Sequence, residues 1–319
     1  MLVLPWLLAC AQPVDKPPAT SPDPDPTDTV PTVPDTVDPP DTVPAPTTEA
    51  LPTVFTIVLE NHDYAEIVDN PKVPYINSLI AQYGLATAYH ETGSPSLPNY
   101  LHMITGDNQG VQTNVLPTKA PYFPMAMDNL GTQLQAAGLK WRSYQESMGT
   151  PCLLENSGDF VPRHDPFLYF DDIQNGADGL CSATNVDYSE FAADLATGSY
   201  AFQWITPNML SSGHDPANQP LVALQQADVW CAKEIPKILA SEAFQNGGVL
   251  FLTWDEAEGR NGNSRTLIPM IVIANRVVKG ARLDTPLTHA SYLATVEDLL
   301  GLPRLPAVVD APTLGALLE

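Results

Sequence analysis

Basic residues are scarce in this sequence, in which 14 Lys and Arg stand against 37 Asp and Glu and the formal net charge is -23. Recognition of a nucleic acid needs clustered Lys and Arg that neutralise its phosphates. The composition therefore excludes nucleic acid as a partner. A small anionic substrate stays compatible with it, because salt screens exposed charges beyond about 8 Å.

Cysteine is scarce as well, with four residues at Cys10, Cys152, Cys181 and Cys231. No two of them form a Cys-x-x-Cys pair, so a zinc site built on such pairs is excluded. Cys152 and Cys181 flank a loop-like region, and we expect them to form a disulfide if the chain is exported. Cys231 lies within an apolar helical pattern and is expected to be a free, buried thiol.

The apolar N-terminal run, residues 1–10, is shorter than the roughly 20 residues that span a bilayer. Its last four residues, Leu-Leu-Ala-Cys, resemble a lipobox, the processing signal of bacterial lipoproteins. We therefore predict an exported protein that is anchored to the cell-envelope membrane through a lipidated Cys10, with ordinary secretion or a chance match as the alternatives. No Lys or Arg precedes the run, in contrast to such signals, and we therefore expect a start further upstream.

Residues 11–50 contain no aromatic residue and consist mainly of Pro, Thr, Asp and Val. No period in this segment could bury an apolar face, so we predict a disordered linker. Folded sequence begins near Leu51, and residues 51–319 are predicted to form one domain.

Short apolar runs alternate with helical patterns throughout this domain, and the first run, Val54–Leu59, is typical of a central parallel strand. The alternation predicts an α/β domain with a largely parallel central sheet and helices on both faces. The predicted strands are 54–59, 85–89, 140–144, 200–206, 248–254 and 267–274, and the predicted helices are 74–83, 97–106, 128–137, 221–239 and 290–300. Residues 145–185 show little periodicity and are predicted to form a long excursion, a kind of segment that is often functional or disulfide-tied.

Oxygen-rich side chains directly follow two of the predicted strands. Glu60 and Asn61 come after the first strand, and Asp255 and Glu256 follow the strand that ends at Trp254. Ligands of parallel α/β sheets bind beyond the carboxyl ends of the strands. These four side chains are therefore candidates for one metal site with hard oxygen ligands. The alternative is that the acids cap the helices that follow.

Residues 94–106 begin with Ser-Pro-Ser-Leu-Pro-Asn-Tyr and end with Thr-Gly. A helix that begins near Leu97 would place Ser96 at or beside its N-cap, where free backbone N–H groups favour an anion. Ser96 is then either a nucleophile or only a helix cap, and Asn99 is either a phosphate contact or only a turn residue. The two acidic strand ends at the same edge of the sheet favour the nucleophile interpretation.

Two of the six histidines lie at predicted strand-to-helix junctions. His214, followed by Asp215, lies in a polar loop after the strand that ends at Thr206, and His289 directly precedes the last helix. A single histidine is more often structural than catalytic, so both interpretations stay open for each. The other four rank lower, namely His62, His90, His102 and His164.

Six motifs occur in the order found in a known family. They are Val-Leu-Glu-Asn-His at 58–62, Ser-Pro-Ser-Leu-Pro-Asn-Tyr at 94–100 with Thr-Gly at 105–106, Thr-Trp-Asp-Glu at 253–256, Thr-His-Ala-Ser-Tyr at 288–292, Thr-Val-Glu-Asp at 295–298 and Gly-Leu-Pro at 301–303. Together they resemble the bacterial phosphoesterase family of secreted acid phosphatases, phosphoinositide phosphatases and phospholipases C, within the alkaline-phosphatase-like superfamily. The resemblance spans about residues 53–303.

The resemblance implies a role for each matching residue. The family's metal ligands match Glu60, Asn61, Asp255 and Glu256, its nucleophile matches Ser96, its substrate-binding residues match Asn99 and Asp215, and its catalytic histidines match His214 and His289. Residues 51–319 are then the catalytic domain of a metal-dependent phosphoric ester hydrolase. The resemblance implies an acid-phosphatase-type phosphomonoesterase that acts through a phosphoseryl intermediate on phosphorylated small molecules or lipids.

A phospholipase C-type phosphodiesterase is the nearest alternative, because no Lys or Arg stands out as a phosphate ligand among Arg142, Arg260 and Arg265. A metal-free serine esterase would have a Gly-x-Ser-x-Gly turn, which Ser96 lacks. A non-catalytic surface lipoprotein of the same fold would be expected to have lost Ser96 or an acid.

Oxygen ligands point to Ca, Mg or Mn as the divalent cation, whereas superfamily kinship points to Zn. Residues 209–213 and Cys231 depart from the family pattern and leave the substrate details open.

Overall fold

An eight-stranded sheet organises the protein in the computed structural model, which describes residues 51–121, 123–257 and 266–319. The predicted lipidation site Cys10, the predicted linker 11–50 and the candidates Arg260 and Arg265 lie outside the described residues. By its internal contacts, Glu49–Glu319 is one structural unit.

The ten strands of the described residues are short, and the longest two have six residues each. They are β1 (Val54–Leu59), β2 (Gly84–Ala86), β3 (Tyr89–His90), β4 (Trp141–Gln145), β5 (Asn185–Asp187), β6 (Phe202–Thr206), β7 (Val249–Trp254), β8 (Met270–Ile273), β9 (Arg282–Leu283) and β10 (Leu287–Thr288). The order in the main sheet is β5-β4-β6-β1-β7-β8-β2-β9, and β10 pairs with β3 in a separate two-stranded sheet. β8 runs antiparallel to both of its neighbours, whereas the other pairs are parallel.

Helices connect most of the strands. The α-helices are α1 (Tyr64–Ile67), α2 (Pro74–Gln82), α3 (Ser96–Thr105), α4 (Leu130–Ala136), α5 (Asp171–Gln174), α6 (Leu180–Thr184), α7 (Phe191–Thr197), α8 (Pro220–Leu239), α9 (Glu242–Gln245) and α10 (His289–Leu299). Short 3-10 helices cover Pro162–His164, Pro166–Tyr169, Ala177–Gly179, Tyr188–Glu190, Pro306–Val308 and Gly315–Leu317. Helix α3 packs against α10, and α2 packs against α8.

The two strands at the centre of the sheet, β1 and β7, are continuous apolar runs in the sequence. Every residue of β1 and β7 is buried, as expected for parallel strands that are covered on both faces. The predicted α/β class with a largely parallel sheet is confirmed. Among the described residues, no helix has both the length and the apolar character needed to cross a membrane.

Two predicted segments differ in the structure. The predicted strand 85–89 is divided between β2 and β3, which belong to different sheets, because a turn at Thr87 and Ala88 separates them. The excursion 145–185 contains several helices of three to five residues, which are too short to produce a recognisable period. The predicted disulfide between Cys152 and Cys181 is confirmed, and Cys231 is a buried free thiol as predicted.

Candidate active site

The carboxyl ends of β1 and β7 lie side by side. The two strands are parallel, and Leu59 pairs with Trp254 at their last position. The residues that follow, Glu60 and Asp255, are therefore neighbours. Asn61 adopts a left-handed conformation with φ 59°, which asparagine tolerates better than most residues. Its backbone N–H donates to Asp255 Oδ1 at 3.3 Å.

Helix α3 presents Ser96 to these acids. Ser96 is the first helical residue, and the N-cap Pro95 provides no side-chain cap. The Ser96 hydroxyl lies 3.3 Å from Glu60 Oε2 and 3.2 Å from Glu256 Oε1 and can donate to either. The helix-cap alternative for Ser96 is therefore wrong, because its Oγ faces carboxylates from two strand ends and not the amides of its own helix.

Three buried acids surround the Ser96 hydroxyl. Glu60 and Asp255 are fully buried, and Glu256 is 4% exposed. Burial is the main cause that raises the pKa of Glu60 and of Glu256 to about 8, and it also raises the pKa of Asp255. The negative charge of a neighbouring acid raises each of these pKa values further. Like charges held together in this way are costly unless protons or a cation neutralise them.

The donor atoms of this cluster fit a hard divalent cation. Asp255 Oδ2 and Glu256 Oε2 are buried and have no hydrogen-bond partner among the described residues, whereas most buried polar atoms in proteins are satisfied. Oxygen ligands of this kind suit Mg, Ca or Mn. In the described part of the chain, no three or more His, Cys, Asp or Glu side chains are arranged as a metal-binding cluster. The predicted set is a mixed one that also draws on Asn61 and Ser96.

Two aromatic side chains at the site were missed by the sequence-based prediction. Tyr100, one turn after Ser96 on α3, donates a short hydrogen bond to Glu60 Oε1. His164 stacks on the Tyr100 ring at a centroid distance of 5.2 Å, and its Nε2 lies 3.3 Å from Glu60 Oε2. Burial lowers the pKa of His164 well below its usual value. The four-residue spacing from Ser96 is a usable signal for Tyr100, but His164 lies in the aperiodic excursion.

The loop after β6 brings His214 to the same edge of the sheet, because β6 is the other neighbour of β1. His214 Nδ1 lies 3.1 Å from Asp215 Oδ1, and its Nε2 lies 3.5 Å from Arg163 Nη2. The ring is 6.0 Å from that of His164. Burial lowers the pKa of His214 below its ordinary value; Asp215 opposes this shift and Arg163 adds to it. Of the two ring nitrogens, Nδ1 faces Asp215 and Nε2 faces Arg163.

This loop is fastened to the end of β1. The backbone N–H of Glu60 donates to the Ser212 carbonyl at 2.9 Å, and His62 Nε2 lies 3.1 Å from the Gly213 carbonyl. Gly213 has φ 96°, and a Cβ at this position would lie 3.2 Å from His62 Cδ2. Both the conformation and the close approach require glycine. His62, which ranked low in the sequence, positions the backbone next to His214.

His289 is fully buried beside the acidic cluster. Its Nε2 donates to the Asp255 carbonyl at 2.7 Å, and its Nδ1 accepts from the Tyr89 hydroxyl at 2.9 Å. Burial lowers the pKa of His289 to about 3, so the ring is neutral at ordinary pH. Both ring nitrogens are occupied within the protein, and this geometry favours the structural interpretation. The catalytic role of His289 stays a prediction.

Asn99 is also fully buried, and its amide binds the loop before α3. Its Oδ1 accepts from the Thr92 N–H at 3.0 Å and from the Thr92 hydroxyl at 2.9 Å, and its Nδ2 donates to the Gly93 carbonyl at 2.7 Å. The amide thus shapes the segment that presents Ser96. Its contact with a phosphate stays a prediction.

Arg142, one of the three arginines considered as a phosphate ligand, lies away from the candidate site. It is the second residue of β4, at the end opposite to the carboxyl edge of the sheet. Its Nη1 pairs with Glu190 at 3.0 Å and with Asp194 at 2.5 Å. Arg163, which the sequence-based prediction missed, is the arginine that lies beside His214.

Comparison with known proteins agrees with this arrangement. A profile of the Phosphoesterase family matches residues 59–303. The phosphatidylinositol-3-phosphatase of Mycobacterium tuberculosis is 30% identical over 274 residues, which cover 83% of either chain. A probable acid phosphatase of Kluyveromyces lactis is 28% identical over 263 residues, which cover 79% of this chain and 58% of the relative. The chain thus spans little more than half the length of the Kluyveromyces relative.

The fold has a counterpart among solved structures. A protein of the alkaline phosphatase superfamily from Vibrio parahaemolyticus superposes with a TM-score of 0.60 at 11% identity, covering 83% of this chain and 70% of that chain. The family profile covers most of the domain, including Ser96 and both acidic strand ends. The chain belongs to the Phosphoesterase family and is a hydrolase of phosphoric esters.

Proposed function

We propose that this protein is a metal-dependent phosphomonoesterase of the acid phosphatase type, with Ser96 as its nucleophile. The observation that carries the proposal is the position of the Ser96 hydroxyl, 3.3 Å from Glu60 and 3.2 Å from Glu256 at the start of a helix. A nucleophile needs a base within hydrogen-bond reach, and this serine has two carboxylates there. The names of the Mycobacterium and Kluyveromyces relatives, both phosphatases, support a phosphate ester as the substrate.

The proposed reaction has two displacements. In the first, Ser96 Oγ forms a bond to phosphorus, the bond from phosphorus to the alcohol oxygen breaks, and the hydroxyl proton passes to Glu60 or Glu256, whichever is ionised. In the second, a water oxygen forms a bond to phosphorus and gives a proton to His214, the bond from phosphorus to Ser96 Oγ breaks, and Oγ regains its proton from the same glutamic acid. Tyr100 keeps the Glu60 carboxylate in place during both displacements, because its hydroxyl donates to Oε1, and the His164 ring packs beside Oε2.

His214 is the proposed proton donor to the leaving alcohol. Asp215 lies against its Nδ1, so the Nε2 side faces Arg163. Because burial lowers the pKa of His214, the ring is protonated only at pH values more acidic than for an ordinary histidine, which suits an acid phosphatase. We assign His289 to holding the backbone of Asp255, since neither of its ring nitrogens is available to the alcohol.

The cation would be held by Glu60, Asn61, Asp255 and Glu256 together with Ser96. When bound, it would lower the pKa of the serine hydroxyl and neutralise charge on a phosphoryl oxygen. The ligands are all oxygens, which favours Ca, Mg or Mn over Zn.

The proposal extends to the place of action. A lipidated Cys10 would hold the catalytic domain at the cell-envelope membrane when it carries more than one acyl chain. Phosphorylated small molecules and lipids are the proposed substrates, and the name of the Mycobacterium relative supports a lipid.

Replacement of Ser96 tests the nucleophile. The full chain is expected to hydrolyse p-nitrophenyl phosphate with a divalent cation, and Ser96→Ala is expected to abolish turnover because the variant has no hydroxyl at residue 96. Ser182→Ala is the matched control, since Ser182 is exposed and its hydroxyl binds only the Gly179 carbonyl. Trapping of a phosphoserine at residue 96 after acid quench would support the intermediate. Full activity of Ser96→Ala would overturn it.

Removal of the cation tests the proposed metal dependence. Chelation is expected to abolish turnover and to lower the melting temperature, because the acidic cluster is then left without neutralisation. Mg, Ca, Mn and Zn added one at a time should restore both properties, and the restoring ion is identified in this way. Undiminished turnover after chelation would contradict metal dependence. Faster cleavage of a choline phosphodiester than of the monoester would replace the phosphomonoesterase by a phospholipase C-type enzyme.

A further inference from the structure

Arg163 is a positively charged residue of the candidate site, and no anion pairs with it among the described residues. Its Nη2 lies 3.7 Å from the Met209 sulfur and 3.5 Å from His214 Nε2, neither of which is an anion. Its Nε is buried without a hydrogen-bond partner, and among the described residues no carboxylate lies within ion-pair distance of it. By contrast, Arg142 and Arg304 each pair with an acid. A guanidinium with unfilled donors is a ready ligand for an oxyanion.

The surroundings of Arg163 leave room for such a ligand. A cavity of about 200 Å³ is lined by Arg163, Pro162 and two amide side chains, Asn114 and Asn156, with two apolar residues beside them. Asn114 Oδ1 also accepts from the backbone N–H of Leu97, the residue that follows Ser96 at the start of α3. The cavity therefore adjoins the start of the nucleophile helix, and Arg163 and the two asparagines give it polar groups that an anion can bind.

Arg163 also lies close to the reacting groups. It directly precedes His164, whose Nε2 is 3.3 Å from the Glu60 carboxylate. Its own positively charged guanidinium lies 3.5 Å from His214 Nε2. A phosphate bound to Ser96 and served by His214 would be within the reach of this charge.

We propose that Arg163 binds non-bridging oxygens of the substrate phosphate and thereby makes the site selective for phosphomonoesters over phosphodiesters. The inference rests on the proposed function, since it names the substrate group that the same site prefers. A monoester dianion has three non-bridging oxygens that share two negative charges, and the planar fork of the guanidinium can bind two of these oxygens together. A diester has two non-bridging oxygens that share a single negative charge, so its binding gains less from Arg163.

The test compares two substrates in one set of variants of the full chain. Arg163→Gln is expected to lower kcat/KM for p-nitrophenyl phosphate by about 100-fold, the loss of one charge-assisted hydrogen-bonding group. The same variant should lower kcat/KM for bis-p-nitrophenyl phosphate by less than about tenfold, because the diester carries one negative charge and the monoester dianion carries two. Arg276→Gln is the matched control, since Arg276 is exposed and contacts only the Gly247 carbonyl. It should leave both values unchanged.

Two further measurements separate phosphate binding from a structural role. Added guanidinium ion is expected to restore part of the monoester activity of Arg163→Ala, and Arg163→Lys should lie between the wild type and Arg163→Gln. Equal losses on both substrates with no rescue would overturn the inference. If Arg163→Gln does not fold, Arg163→Lys decides instead: an unchanged monoester-to-diester ratio in this variant would likewise overturn it.

Calorimetry with inorganic phosphate keeps this inference distinct from the proposed function. The wild type should bind phosphate at least about tenfold more tightly than Arg163→Gln or Arg163→Lys. If the wild type hydrolyses neither ester but binds phosphate through Arg163, the proposed function and the selectivity fail, and the binding of phosphate by Arg163 stands. If phosphate binds equally well to all three proteins, the role of Arg163 is refuted whatever the activity.

Discussion

Two buried acidic sites in this protein use their carboxylate oxygens differently. On α8, Asp228 is 5% exposed, and its two oxygens accept from the N–H groups of Tyr75 at 3.2 Å and Ile76 at 2.8 Å. At the candidate active site, Asp255 Oδ2 and Glu256 Oε2 have no hydrogen-bond partner in the part of the chain that the structure describes. Both sites bury carboxyl groups, but backbone amides satisfy both oxygens of Asp228, whereas at Asp255 a backbone amide reaches Oδ1 alone.

The difference separates an acid that stabilises the fold from acids that are held for a reaction. Asp228 caps the first turn of α2 from another helix, which matters because the N-cap Val73 provides no side-chain cap of its own. Buried carboxylates without partners destabilise a fold. They persist where function needs them, and perturbed acids cluster at such sites. Asp228 and the active-site acids are alike in burial and differ in the satisfaction of their oxygens.

The strongest test of this difference between the two sites is to neutralise an acid of the active site. Glu60→Gln keeps the shape of the side chain and an acceptor for Tyr100, but it removes the charge beside Ser96. We expect kcat/KM for p-nitrophenyl phosphate to fall by about 10³-fold, as for the loss of a positioned proton acceptor. The melting temperature of the metal-free protein should stay the same or rise, because one of three mutually repelling acids is gone. A variant that stays active but melts earlier would place Glu60 in the structural class with Asp228.

The acidic strand ends could be predicted because they follow from a local pattern and one topological rule. Continuous apolar runs end at Leu59 and Trp254, and in a parallel sheet the ends of such runs meet. The same reasoning predicted the class of the fold and the long helix α8. It could not predict that β8 is antiparallel, because the hydrophobic pattern of a buried strand is the same in either direction.

The remaining site residues depend on tertiary contacts that no local pattern encodes. Arg163 and His164 reach the site from an aperiodic segment, tied back to the sheet where the Thr206 hydroxyl donates to the His164 carbonyl at 3.0 Å. The two ring nitrogens of His289 are occupied by Tyr89 and by the backbone of Asp255, and these partners lie far away in sequence. Sequence reasoning found the position of His289 but could not show what its ring binds.

Asp165 is intermediate between these two kinds of buried acid, and we expect it to make the stability of the protein depend on pH. It is fully buried; its Oδ1 accepts from the Ser143 hydroxyl at 3.0 Å, whereas its Oδ2 has no partner among the described residues. Burial raises its pKa to about 7, from about 3.9 in an unfolded chain. Between these values the folded protein keeps a proton that the unfolded chain releases. Stability should therefore fall as pH rises from about 4 to about 7, by at most about 4 kcal/mol.

Urea unfolding of the wild type and of Asp165→Asn across this range measures that fall. The asparagine cannot ionise, so the variant should show a shallower loss of unfolding free energy with rising pH. Other buried acids, such as Glu60 and Glu256, titrate in both proteins and cancel in the difference. Parallel curves for the two proteins would show that the folded and unfolded pKa values of Asp165 are alike.

The smallest expected effect concerns Asp228, and it is an effect on stability alone. Asp228→Ala leaves the N–H groups of Tyr75 and Ile76 without their acceptor, so we expect the free energy of unfolding to fall by about 1–3 kcal/mol. Turnover of p-nitrophenyl phosphate by the folded protein should be unchanged, because these contacts tie α8 to α2 and none reaches Ser96. Asp284→Ala, at an exposed position, controls for the loss of one negative charge. A loss of turnover without a loss of stability would show that satisfied oxygens do not identify a structural acid.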